Sequence, residues 1–127
     1  MKYLDTNLIL RYLINDPEAE RVEKLLKSSD ELFLPDVVFA EIVWVLKSFY
    51  KWEKSKILAV TTGLLKLNSI KANKNLLLNS IKLFENYNIK YVDAYIAASM
   101  YKNKTKLIYS FDRDFDKIDG IKRLEPK

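Results

Sequence analysis

Three carboxylates stand where a folded domain usually places apolar side chains. Asp5 closes Met1-Lys2-Tyr3-Leu4-Asp5, Glu41 interrupts the apolar run Val37–Leu46, and Asp93 lies within Tyr91-Val92-Asp93-Ala94-Tyr95-Ile96. A carboxylate buried alone is costly or gives up its charge, so three such positions call for a compensating cation. A fourth acid, Asp112, follows the β-rich stretch Lys106–Ser110 and begins an alternation with Asp114 and Asp116. Acids alternate in this way in calcium loops, but the glycine and distal glutamate of that pattern are absent. Each acid also has a structural reading. Asp93 fits a helix N-cap, although Ile96 removes the capping-box partner. Asp5 fits a turn residue capping a first helix, and Glu41 fits an ion pair with a lysine across a helix interface. Asp114 and Asp116 fit turn or capping residues, or a solvated charge run. Asp16, Glu18, Glu20, Glu23, Asp30 and Glu53 have polar neighbours and read as a solvated face or as helix-start charges.

The missing residue types narrow the chemistry. With no His and no Cys, imidazole bases, Ser-His-Asp and Cys-His nucleophiles, and nitrogen or sulfur metal sites are excluded. Gly63 and Gly120 are too far apart to build a P-loop or a dinucleotide-binding loop. Carboxylates alone offer all-oxygen ligation, which selects Mg²⁺ or Mn²⁺. Four carboxylates and a hard cation suit phosphodiester hydrolysis by an activated water, with no covalent nucleophile required.

The elements that must position these acids alternate in type. Tyr3-Leu4, Glu31–Leu34, Ser69–Ala72, Lys106–Ser110 and Ile121–Leu124 read as short strands. Helical spacing runs through Leu8, Ile9, Tyr12 and Leu13, and again from Asp16-Pro17-Glu18 through Val22, Leu25 and Leu26. It returns from Pro35 to about Lys51, after a cap at Ser55, from about Asn75 to Tyr87, and from near Val92. This alternation predicts an α/β fold with a central, mainly parallel sheet and helices on both faces. Sites in such folds lie beyond the carboxyl ends of strands, where Asp5 and Asp112 fall.

The 127 residues fit a single domain, residues 1–127, and 49% apolar content supplies a core. Twenty-two basic against 17 acidic residues leave a formal charge of +5, which favours an anionic partner such as nucleic acid. Zero Cys suits a reducing compartment, and no apolar run is long enough to span a bilayer. A cytoplasmic protein is therefore expected. Trp44, Phe49, Tyr50 and Trp52 offer aromatic anchors for an interface, or else belong to the core.

Met1-Lys2-Tyr3-Leu4-Asp5-Thr6-Asn7 resembles the opening of PIN-domain ribonucleases, in particular VapC-type toxins of toxin–antitoxin pairs. Val38-Phe39-Ala40-Glu41-Ile42 resembles the block with their second acid. Val92-Asp93-Ala94-Tyr95-Ile96-Ala97-Ala98 resembles the third, and Ser110-Phe111-Asp112-Arg113-Asp114-Phe115 the fourth. The four blocks cover nearly the whole chain in order. The resemblance implies a PIN-like three-layer fold with about 4–5 short strands, and a Mg²⁺- or Mn²⁺-dependent endoribonuclease. It implies Asp5 and Asp93 as principal metal ligands and Glu41 and Asp112 completing the pocket. Thr6, Asn7 and Ser110 would support ligands or substrate, with Asp114 a less regular member. It also implies a homodimer and a cognate antitoxin. Two rivals are a catalytically silent PIN-like RNA-binding module and a phosphoacceptor signalling domain. The second would want paired acids after the first strand, where Asp5 is instead followed by Thr6-Asn7.

Overall fold

A computed structural model describes all residues from Met1 to Lys127. By their internal contacts the residues group into two compact units, Met1–Lys74 and Asn75–Lys127. In the first, strand β1 (Lys2–Tyr3) leads into helix α1 (Thr6–Leu13), and helix α2 (Ala19–Leu26) leads into strand β2 (Leu32–Phe33). Helix α3 (Asp36–Trp44) runs on as a π-helical turn over Val45–Phe49, followed by helix α4 (Lys54–Leu65) and strand β3 (Ile70–Lys71). The strands pair in parallel in the order β1-β2-β3, with Lys2 beside Leu32 and Leu32 beside Ile70. Parallel neighbours need crossovers, and the intervening helices supply them.

Local chemistry explains where these elements stop. Asn15 takes a left-handed φ of 56° after α1, a conformation asparagine tolerates better than most residues. Asp16 then accepts a hydrogen bond from the Glu18 backbone N–H at 2.9 Å and so opens α2. After the π-helical turn, Lys51 adopts a φ of 59° and the Trp52 N–H reaches back to the Leu46 carbonyl, satisfying a carbonyl at the helix end. Ser55 does not cap α4. That helix starts two residues earlier than such a cap would set it, at Lys54, with Glu53 in the cap position.

Burial in this unit centres on Ile9, Leu26, Leu34, Phe39, Ile42 and Ile57, all essentially inaccessible to solvent. Each contributes about 1.5–3 kcal/mol of hydrophobic stabilisation.

The second unit contains most of helix α5 (Lys74–Asn86), helix α6 (Tyr91–Lys102), strand β4 (Leu107–Tyr109), a 3-10 helix over Arg113–Lys117 and strand β5 (Lys122–Leu124). β4 and β5 pair in parallel, Ile108 beside Arg123. Ala94, Ala97 and Ala98 are buried on α6, and their small side chains allow close packing. The Tyr91 and Ser80 hydroxyls, both buried, meet at 2.7 Å and tie the first turn of α6 to α5. The expected α/β class and the five short parallel strands are present, three strands in one sheet and two in the other.

Candidate metal centre

The second unit builds an acidic cluster. Asp93 is the third residue of α6 and its side chain points into the buried face, in line with Ala97 and Met100. It is 8% exposed, and its Oδ2 has no hydrogen-bond partner. Such an orphan acceptor in the interior is costly, and it leaves an oxygen donor open to a cation. The N-cap position of α6 belongs to Lys90, so the capping role open to Asp93 from sequence does not apply.

Asp112 sits just beyond β4 and caps the 3-10 helix: its Oδ1 accepts the Asp114 backbone N–H at 2.9 Å. Ser110 fixes the same turn, its Oγ accepting the Asp112 N–H at 2.9 Å. Carboxylate oxygens of Asp93, Asp112 and Asp114 all lie within 4.8 Å of one another. Two lysines face them. Lys90 Nζ is 3.5 Å from Asp112 Oδ2, and Lys117 Nζ is 2.9 Å from Asp114 Oδ1. Asp116 is turned away and pairs with Arg123 at 3.1 Å.

The electrostatics split the pair at its centre. Burial pushes the Asp93 carboxyl above its ordinary range, and the charge of Asp112 adds to this against the opposing pull of Lys90. The Asp114 backbone N–H holds Asp112 below its ordinary range, helped by Lys90 and by a hydrogen bond with Asp93. The two carboxyls are thus shifted in opposite directions, Asp93 holding a proton more readily than Asp112. Three oxygen donors, one of them buried and unpartnered, fit a hard divalent cation.

In the first unit, Asp5 occupies the N-cap position of α1, two residues beyond the end of β1, with extended backbone (φ −100°, ψ 157°) and no side-chain capping bond. The sequence pattern suggested burial, but Asp5 is exposed and opens, with Asn7, onto a cleft of about 690 Å³ between α1 and α2. Thr6 is buried, and Asn7 Oδ1 accepts from Arg11 Nε at 2.8 Å. Glu41 is exposed too, which removes the idea of an ion pair across a buried helix interface. The reason is the turn of α3: Phe39, Ile42 and Val43 face inward, whereas Val37, Glu41 and Trp44 share the outer stripe. Its neighbours in sequence are apolar because the outer stripe itself carries valine and tryptophan.

Asp93, expected from its apolar surroundings, and Asp112, expected from its place after a strand, lie together in the fold. Asp114, a less regular member by sequence, is set directly beside them. Lys90 and Lys117 were missed; the only trace was that each stands three residues from a cluster acid.

A family model for the PIN domain matches residues 2–121. A VapC ribonuclease of Aquifex aeolicus (strain VF5) is 30% identical over 132 residues, spanning 99% of this chain and 97% of that protein. With an acidic cluster in place and a match along almost its whole length, the chain belongs to the PIN-domain family.

Proposed function

We propose that this chain is a metal-dependent ribonuclease that hydrolyses RNA phosphodiester bonds, and that it acts as the toxin of a toxin–antitoxin pair. The observation that carries the reading is the unpartnered, buried Asp93 Oδ2 among the oxygens of Asp112 and Asp114, in a member of the PIN-domain family. Asp93 and Asp112 hold the cation, Mg²⁺ or Mn²⁺, with Asp114 beside them. Asp5 and Glu41 are assigned to the catalytic carboxylates on the resemblance of their sequence blocks to those of the family. When bound, the cation supplies an activated water and neutralises charge building on the phosphate.

The chain's own residues prepare for this. Burial holds the Asp93 carboxyl above its ordinary range, so protons and a cation compete there, whereas the Asp114 N–H favours the anion of Asp112. Ser110 holds the Asp112 turn in place. Thr6 and Asn7 adjoin Asp5, where Asn7 orients Arg11. RNA and a cognate antitoxin are the proposed partners, the first suggested by the net charge of +5 and the second by the VapC name of the relative. A homodimer is part of the same reading, supported by the exposed Trp44 (63%) and Phe49 (71%). Trp52, by contrast, is half-buried beneath the Lys56 ammonium, 3.7 Å from its ring centre.

The test is a cleavage assay on a labelled structured RNA with Mg²⁺ or Mn²⁺, with and without EDTA. Cleavage that needs the metal and is lost in Asp93→Asn supports the proposal; cleavage at the wild-type rate by that variant sinks it.

A further inference from the structure

Resting on the ribonuclease reading, we infer that Lys90 is a displaceable counter-ion that moves from Asp112 to an RNA phosphate when a divalent cation is taken up. The free oxygens of the cluster are not equivalent. Asp112 commits Oδ1 to the Asp114 backbone N–H and leaves Oδ2 facing the Lys90 ammonium at 3.5 Å. Asp114 Oδ1 faces Lys117. Asp93 Oδ2 is buried and has no partner. A cation held by Asp93 and Asp112 would compete with the Lys90 ammonium for Asp112 Oδ2 and repel it.

Displacement is easy because an exposed lysine–carboxylate pair contributes little. The Lys90 side chain is 76% exposed and sits at the N-cap of α6 on extended backbone, so its stem is free to swing. Lys117 differs, since its ammonium also donates to the Asn88 carbonyl at 3.0 Å and is held from both sides. Once displaced, the Lys90 ammonium stands beside the cation on a flexible stem of several ångströms. An RNA phosphate drawn to that cation comes within its reach and takes over the charge that Asp112 has released. Lys90 is thus a substrate-positioning residue whose presence weakens metal binding and strengthens RNA binding.

The opposed signs give the test. Mn²⁺ binding is measured by calorimetry without RNA, at pH 8 so that protons compete little at Asp93. Binding of a labelled single-stranded RNA is measured by anisotropy in Ca²⁺ over a range of salt. Lys82→Gln, which removes an exposed charge on α5 outside the cluster, is the control. The inference predicts that Lys90→Gln binds Mn²⁺ about three- to tenfold tighter than wild type, the size of a screened repulsion between exposed charges. It also predicts weaker RNA binding, with a log–log salt slope flatter by about 0.7, one phosphate contact on a single strand. Lys82→Gln should show neither change. Unchanged or weaker Mn²⁺ binding by Lys90→Gln overturns the inference, and so does tighter Mn²⁺ binding with unaltered RNA binding. If either occurs while the wild type binds Mn²⁺ and cleaves RNA, the ribonuclease reading survives. If the wild type binds no Mn²⁺, both fall together.

Discussion

Replacing Asp93 by asparagine should stabilise the metal-free protein while removing most of its response to a divalent cation. The carboxylate oxygens of Asp93, Asp112 and Asp114 lie within 4.8 Å of one another. At that separation and an effective dielectric near 20, one ionised pair repels by about 3 kcal/mol. Lys90 and Lys117 offset much of this, so roughly 1–2 kcal/mol remains as a net penalty for charging Asp93. Opposing it, an acid in the first turn of α6 gains about 0.3–1 kcal/mol from the helix dipole, which asparagine forfeits. Burial and repulsion win, as the raised Asp93 pKa requires. The expected gain near pH 8 is about 1 kcal/mol, or roughly 3–5 °C in Tm for a chain of this length.

The pH dependence follows with a definite sign. Because the folded pKa of Asp93 lies above its unfolded value of 3.8, the folded state binds more protons across the interval between them. Stability from this group is therefore full at low pH and is lost as pH rises through the folded pKa. Calorimetric melts of wild type and Asp93→Asn in EDTA, from pH 4 to pH 8, should show the variant's advantage growing with pH. Millimolar Mg²⁺ should then raise the wild-type Tm and leave the variant nearly unchanged. A variant that melts lower than wild type at pH 8 in EDTA, or a difference that ignores pH, would refute the reasoning.

Other variants probe the remaining parts. Asp5→Asn and Asp112→Asn should abolish RNA cleavage with the fold retained by circular dichroism, Glu41→Gln should be severe, and Asp114→Asn should slow turnover without abolishing it. Ser80→Ala removes the buried 2.7 Å hydroxyl contact with Tyr91, and should cost about 0.5–1.5 kcal/mol by urea unfolding; no loss would mean that this tie between α5 and α6 is idle. Phe39→Ala, at a fully buried position, should cost about 3–5 kcal/mol in the same assay. Trp44→Ala and Phe49→Ala should shift light scattering from dimer toward monomer, whereas a wild type that is already monomeric at high concentration removes the dimer.

What could be read before the fold was known follows from periodicity. The alternation of short apolar runs with helical spacing located all five strands and six helices to within about two residues, because each has its own apolar rhythm. The continuation of α3 as a π-helical turn left no such trace, since Val45, Leu46 and Phe49 suit an ordinary α-helix equally well. Asp93 was legible because it breaks a buried face, and its burial bears that out. Asp5 and Glu41 broke the same rule and proved exposed. Apolar neighbours in sequence are not apolar neighbours in space when the helix turns the residue outward. The Asp112–Asp114–Asp116 alternation hid its own asymmetry. Only the bond from the Asp114 N–H to Asp112, together with the pull of Arg123 on Asp116, sorts the three into two cluster members and a bystander.

The most direct test of the metal centre is anomalous diffraction from crystals grown with Mn²⁺. The account predicts one strong peak bonded to Asp93 Oδ2 at about 2.2 Å, with at least one oxygen of Asp112 or Asp114 in the same coordination sphere. A peak elsewhere, or none beside Asp93 at saturating Mn²⁺, would contradict it.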